Sequence, residues 1–182
     1  MATDVSLRGA GLDDREFLFE LHRASRDPMW RSCLGLGTTR FKWEFFDRWF
    51  RPEHTFIISA GGEDVGVVAF ESRDDEVYVS RIEVHPEQQN KGIGTAVMSE
   101  LVDRAHGAGM AVALHLYAIN PSLEFYRRLG FTVSDAEEER PRGRFSTEYF
   151  PVIRPPASGV YAMRVTPSSR HASSTPFASG RR

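Results

Sequence analysis

The spacing of apolar positions changes several times along the chain, and each change marks an element. Val5-Ser6-Leu7-Arg8 alternates as a strand does, and from Asp13, a suitable N-cap, Phe17, Leu18 and Leu21 recur at helical spacing. Residues 55–60 and 65–71 read as two strands joined by Gly61-Gly62-Glu63-Asp64, a hairpin turn by composition. Residues 77–84 form a third strand, rich in β-branched and aromatic side chains. His85-Pro86 closes it, because proline cannot donate to a ladder. Val97, Met98, Leu101, Val102 and Ala105 then return to helical spacing, in a helix opening between Gly92 and Thr95 and broken at Gly107-Ala108-Gly109. Residues 112–117 make the next strand, parallel to 77–84 because a helix crosses between them. Asn120 and Pro121 suit the N-cap and first position of a short helix that Gly130 ends, with Leu123, Tyr126 and Leu129 on one face. The strand after it, at 131–133, needs a partner, and 160–165 is favoured over 146–152. The whole reads as an α/β chain of the α+β kind, an antiparallel meander running into a parallel pair.

Between the central strand and its helix lies Gln89-Asn90-Lys91-Gly92-Ile93-Gly94. Its glycines let a ligand approach the backbone, and the first N–H groups of the helix and the positive end of its dipole favour an anion such as a pyrophosphate. Three readings compete. The glycines serve turn geometry alone, or the turn is a dinucleotide site of the Rossmann type, which would want a third glycine and an acidic residue about 20 positions on. The third reading is a resemblance. Gln89-x-x-Gly92-x-Gly94 after Ile82-Glu83-Val84-His85-Pro86, followed by the run from Asn120 through Tyr126 to Leu129-Gly130-Phe131, is similar to the two signatures of the GNAT superfamily of acyl-CoA-dependent N-acyltransferases. The two signatures stand in the right order with a strand between them, and the likeness covers about residues 65–131.

The resemblance implies a mixed, mostly antiparallel sheet of about seven strands flanked by helices, with two central parallel strands splayed apart. It implies acetyl-CoA as co-substrate, its pantetheine arm along Ile82, Glu83 and Val84. The rest of the cofactor would lie against Gln89, Asn90, Lys91, Gly92, Ile93, Gly94, Thr95, Asn120 and Tyr126. Tyr126 stands where the superfamily commonly places the acid that protonates the leaving thiolate, and a backbone N–H near Val84 would polarise the thioester carbonyl. For the base, His115 projects from the face opposite Leu114 and Leu116 and has a suitable intrinsic pKa; Glu83, Tyr78 or a water chain are the alternatives. The aromatic-rich stretch 26–51 covers the acceptor side in such proteins, which makes Trp30, Arg31, Trp43 and Asp47 candidate acceptor contacts.

Composition bounds rather than redirects this picture. A chain of 182 residues, 41% hydrophobic, fits one domain at 1–165 followed by a flexible tail at 166–182. A net charge of −2 gives no electrostatic case for nucleic acid or an anionic membrane. The single cysteine, Cys33, excludes an internal disulfide and a Cys-cluster metal site, and His22, His54, His106 and His171 form no convergent pattern, so no metal is expected. No apolar run approaches membrane length, which makes a cytoplasmic protein the default. The expected activity is transfer of an acetyl group from acetyl-CoA to a primary amine by direct attack in a ternary complex. The alternatives are a non-catalytic acyl-CoA-binding regulatory module and, third, a nucleotide-binding oxidoreductase. The acceptor stays open among small amines, antibiotics, amino acids and protein N-termini, and a homodimer is in keeping with the aromatic surplus.

Overall fold

Seven strands form one sheet in the order β1-β2-β3-β4-β5-β7-β6. They are β1 (Val5–Gly9), β2 (Thr55–Ala60), β3 (Glu63–Ser72), β4 (Glu76–Val84), β5 (Ala111–Tyr117), β6 (Thr132–Ser134) and β7 (Val160–Val165). Among the described residues the helices with both ends in view are α1 (Arg15–Leu34), α2 (Ile93–Gly107) and α3 (Leu123–Arg128). The computed structural model describes residues 4–34, 46, 50–117, 120–134 and 160–167, and of 26–34, 117, 134, 160 and 161 the backbone alone. Every pairing is antiparallel except β4 with β5. The expected mixed sheet with a parallel central pair is therefore present, and a doubly wound dinucleotide fold is not. The last strand is 160–165, as favoured from the sequence, and it pairs with β6.

Helices cover both faces. Val97, Met98, Leu101, Val102 and Ala105 of α2 pack on Val77, Val79, Val112, Leu114 and Leu116 of the sheet, and Tyr126 and Phe131 join them. On the other face Leu18, Phe19 and Leu21 of α1 pack on Ile57 and Val67, with Phe46 and Phe50. Leu18, Leu21, His22 and Ser25 fall on one stripe of α1 at i, i+3, i+4 and i+7.

Local details depart from expectation at three points, each for an identifiable reason. A short 3₁₀ turn, Leu12–Asp14, precedes α1; its N-cap is Gly11 rather than Asp13, and Asp14 at N3 closes the cap, its Oδ2 accepting the Gly11 N–H at 2.7 Å. Asp14 is also held by Arg8, with Nη2 to Oδ1 at 2.7 Å, which favours it over its neighbour. The β2–β3 hairpin turns on Gly61 and Gly62 alone, both at positive φ, so Glu63 and Asp64 belong to β3. At the other end α3 begins at Leu123 with Ser122 as N-cap, while Asn120 closes a preceding turn by accepting the Ser122 N–H at Oδ1, 2.8 Å. Gly130, at φ +87°, ends α3 as read from the sequence. Phe131 N–H returns to Tyr126 O (3.1 Å) and Gly130 N–H to Arg127 O (3.0 Å), the paired bonds of a Schellman motif.

Candidate active site

The parallel pair opens partway along its length. β4 and β5 pair from Glu76 with Ala111 to Val79 with Leu114 and no further, although β4 continues to Val84 and β5 to Tyr117. The cause lies on the other side of β4. Its register with β3 shifts between Ala69, opposite Arg81, and Phe70, opposite Val79, so Ser80 is an extra residue at the point where β5 is lost. A bulge of this kind bends its strand and increases its twist, which turns the end of β4 away from β5. It also resets the side-chain phase. Val77, Val79, Ile82 and Val84 all face the α2 core, while Tyr78, Arg81 and Glu83 are left for the α1 face.

Hydrogen-bond phase fixes which backbone groups line the opening. His85 N–H donates to Val65 O at 2.8 Å. In an antiparallel ladder that directs Glu83 likewise toward β3 and turns the backbone groups of Ile82 and Val84 toward the gap. The Val84 carbonyl on that side accepts from Gln89 Nε2 at 2.9 Å and from Ser25 Oγ at 3.4 Å, so the Val84 N–H is the group offered to a ligand. The strand reaches this line because residue 66 is glycine. A Cβ there would lie 2.6 Å from Glu83 O and 3.3 Å from Val84 Cα.

The loop beyond β4 brings an anion-binding end to the same place. A 3₁₀ turn, Pro86–Gln88, leads through Gln89 to Asn90 (φ +61°) and Gly92 (φ +82°), both left-handed, and Gly92 is the N-cap of α2. The first bond of α2 is Ala96 N–H to Gly92 O at 2.9 Å, so the N–H groups of Ile93, Gly94 and Thr95 precede it and point out of the helix start. Ile93 is buried and offers only its backbone, whereas Asn90, Lys91, Gly92 and Thr95 are exposed. Lys91 Nζ rests on Gln88 Oε1 at 2.8 Å. A Cβ at Gly94 would sit 3.6 Å from the Phe125 ring of α3, an ordinary van der Waals contact that does not itself require glycine.

Two polar pairs stand on the α1 face beside the opening. The Tyr78 hydroxyl and His115 Nδ1 are 2.9 Å apart, joining β4 to β5. Burial pushes the Tyr78 phenol up to about 12, so it is protonated near neutrality. This contact engages His115 through Nδ1, as donor or acceptor according to the tautomer of the ring. The second pair is His22 of α1 with Glu83, Nδ1 to Oε1 at 2.9 Å, both buried. Arg81 Nε lies 3.8 Å from the same oxygen. His22 was assigned to no pattern from the sequence, and the structure corrects that, bringing it to a residue 61 positions away. Its place on the apolar stripe of α1, between Leu18, Leu21 and Ser25, was the available signal.

Tyr126 is buried, with its ring edge-on to Phe125 and Phe131 at centroid distances of 5.0 and 5.7 Å. Asn120 is partly buried at the turn before α3. The side chains of Trp30 and Arg31, and Trp43 and Asp47 entirely, lie outside the described residues, as does the connection 135–159. Among the described residues no three His, Cys, Asp or Glu side chains are grouped to hold a metal ion, and no helix is long and apolar enough to cross a membrane.

Comparison with known proteins points one way. The family model described as "Acetyltransferase (GNAT) family" matches residues 17–131. Mycothiol acetyltransferase of Streptomyces bingchenggensis (strain BCW-1) is 36% identical over 95 residues, 49% of this chain but only 30% of that protein, so the chain spans under a third of this curated relative. Among solved structures, the PaiA N-acetyltransferase of Thermoplasma acidophilum in complex with coenzyme A superposes with a TM-score of 0.61 at 16% identity, covering 90% of this chain and 99% of that one. The ribosomal-protein-S18-alanine N-acetyltransferase of Escherichia coli gives 0.58 at 17% identity, over 90% and 94% of the two chains. At these identities the structural likeness speaks for the fold.

Proposed function

The chain belongs to the GNAT acetyltransferase family, and from that premise we propose that it transfers the acetyl group of acetyl-CoA to a primary amine within a ternary complex. The observation that carries the reading is the opening between β4 and β5, lined by the backbone of Ile82 and Val84 and ending at the left-handed Gly92 and the N-terminus of α2. An extended pantetheine arm can pair there as an added strand, with the pyrophosphate on the N–H groups of Ile93, Gly94 and Thr95. Gln89 acts by holding the Val84 carbonyl, and Asn90 and Lys91 shape the loop's exposed rim.

The chemistry follows from the groups around that line. The amine nitrogen attacks the thioester carbonyl carbon, a C–N bond forms, and the carbonyl electron pair moves to oxygen, which the Val84 N–H stabilises. Collapse breaks the C–S bond; the thiolate takes the phenolic proton of Tyr126, and the amine gives its extra proton to a base. Glu83 suits the base better than His115. Glu83 adjoins Val84, whose N–H would hold the carbonyl oxygen, whereas His115 is engaged at Nδ1 by the Tyr78 hydroxyl. The products are an amide and free CoA thiol.

The acceptor is an amine small or exposed enough to reach the α1 face of β4. The test is release of free thiol from acetyl-CoA with spermidine, tyramine, glycinamide and an alanyl peptide bearing a free N-terminus. Amine-dependent thiol release with at least one of them is expected. Acetyl-CoA binding with no release for any amine class would favour the regulatory acyl-CoA-binding module instead.

A further inference from the structure

Both oxygens of Glu83 converge on one ring nitrogen of His22, Oε1 at 2.9 Å and Oε2 at 3.2 Å from Nδ1. A carboxylic acid bears its hydrogen on one oxygen and can aim it only from there, whereas a single N–H can be shared between two acceptors. The geometry therefore assigns the hydrogen to Nδ1 and makes the carboxylate the acceptor. The two side chains are 8% and 4% exposed, so water competes little, and a bond from N–H to a carboxylate is among the stronger ones. Among the described residues the other titratable or charged groups on this face include Arg81, Tyr78 and His115, with Glu76 at the far end of β4 and Glu71 of β3 opposite Tyr78, while β3 places Val67 opposite Glu83 and Ala69 opposite Arg81.

We propose that His22 is a positioning residue for Glu83, an inference that rests on Glu83 being the base described above. His22 is carried by α1, the helix whose Ser25 reaches the Val84 carbonyl, so one helix sets both the carboxylate and the strand beside it. When the acceptor amine is deprotonated, its N–H bond breaks and an O–H bond forms on one Glu83 oxygen. The Nδ1–H of His22 stays in place and donates to the other oxygen. The carboxyl group thus keeps its orientation in both protonation states, and the proton leaves to solvent after the amide departs.

The experiment combines ¹⁵N NMR of the histidine rings with steady-state kinetics, using acetyl-CoA and the fastest amine of the panel above. The wild-type spectrum is expected to show His22 with its hydrogen on Nδ1, and Glu83→Gln to move the His22 titration to lower pH, since an anionic neighbour is lost. Glu83→Gln is expected to lower kcat about 100-fold or more. His22→Leu is expected to lower kcat about tenfold with the KM for acetyl-CoA unchanged and the acidic limb of the pH–rate profile displaced. His22→Gln, which restores an N–H donor, should recover most of that loss. An inactive Glu83→Gln beside a His22→Leu with wild-type kcat and pH profile overturns the role of His22 and spares the base. A fully active Glu83→Gln overturns both. Should His22→Leu fail to fold, a hydrogen found on Nε2 of His22, or a His22 titration indifferent to Glu83→Gln, overturns the proposal by itself.

Discussion

Gly66→Ala is the most informative single methyl group that can be added to this protein. The new Cβ would stand 2.6 Å from the Glu83 carbonyl oxygen, 3.2 Å from Ile58 Cδ1 and 3.3 Å from Val84 Cα. Two of these three neighbours are backbone, so a rotamer change cannot relieve the contact. Reaching 3.0 Å, below which Cβ contacts are essentially never found, requires a recoil of about 0.4 Å at Glu83. Overpacking of this kind costs about 1–3 kcal/mol, and in a chain of this size each kcal/mol lowers the melting midpoint by about 2–4 °C. The recoil is directed across β4 into the opening, where Ile82 and Val84 would meet the pantetheine arm. Acetyl-CoA affinity should therefore weaken about tenfold, about 1.4 kcal/mol, on top of the loss of stability. Calorimetric titration with acetyl-CoA beside a thermal melt separates the two effects. A destabilised variant with unchanged affinity would refute the link between this crossing and the binding line, and an unchanged melt would refute the clash.

Gly92→Val places a β-branched residue at φ +82°, where it is strained regardless of space, and should abolish measurable acetyl-CoA binding with a native circular dichroism spectrum; retained affinity would remove the pyrophosphate from this loop. Tyr126→Phe keeps the buried ring among Phe125 and Phe131 and deletes only the hydroxyl, so kcat should fall by about 10²-fold or more while acetyl-CoA affinity and the melt stay close to wild type. Arg8 holds the carboxyls of Asp14 and Asp64 below their ordinary value, chiefly through side-chain hydrogen bonds. Depressed carboxylates contribute stability that is present above their unfolded pKa near 4 and lost as pH falls through the lower folded one. Arg8→Ala should thus cost under about 1 kcal/mol at pH 7, these being partly exposed pairs, and the deficit should shrink as melts are taken to acid pH, through the lowered folded pKa of the two carboxyls.

The parts of the fold legible in the sequence were those carried by local chemistry. Alternation and helical spacing place β2, β4, α2 and β5, and the left-handed glycine at 130 follows from the need to end a short helix. The opening between β4 and β5 could be expected from the family resemblance alone. Its physical cause, the extra residue Ser80, leaves no mark in composition, because a bulge is a statement about register with a partner strand. Gly66 was similarly silent: within a run of valines it reads as a weak spot in a strand, and only the crossing with Glu83 and Val84 explains it. His22 and Glu83 are 61 residues apart, and a pairing across two layers has no sequence period to announce it. The N-caps at Gly11 and Ser122 each lie two residues from the expected Asp13 and Asn120, because the Asp14 side chain reaches back to the Gly11 N–H and the Asn120 side chain is taken up by the turn before α3.

The central claim is that acetyl-CoA lies along β4 in the opening and ends on the start of α2. Amide hydrogen exchange with and without saturating acetyl-CoA tests it most directly. The expected result is slowed exchange at the N–H groups of Val84, Ile93, Gly94 and Thr95, with β1 unaffected. Binding without protection at these amides, or no binding by folded protein, would contradict it.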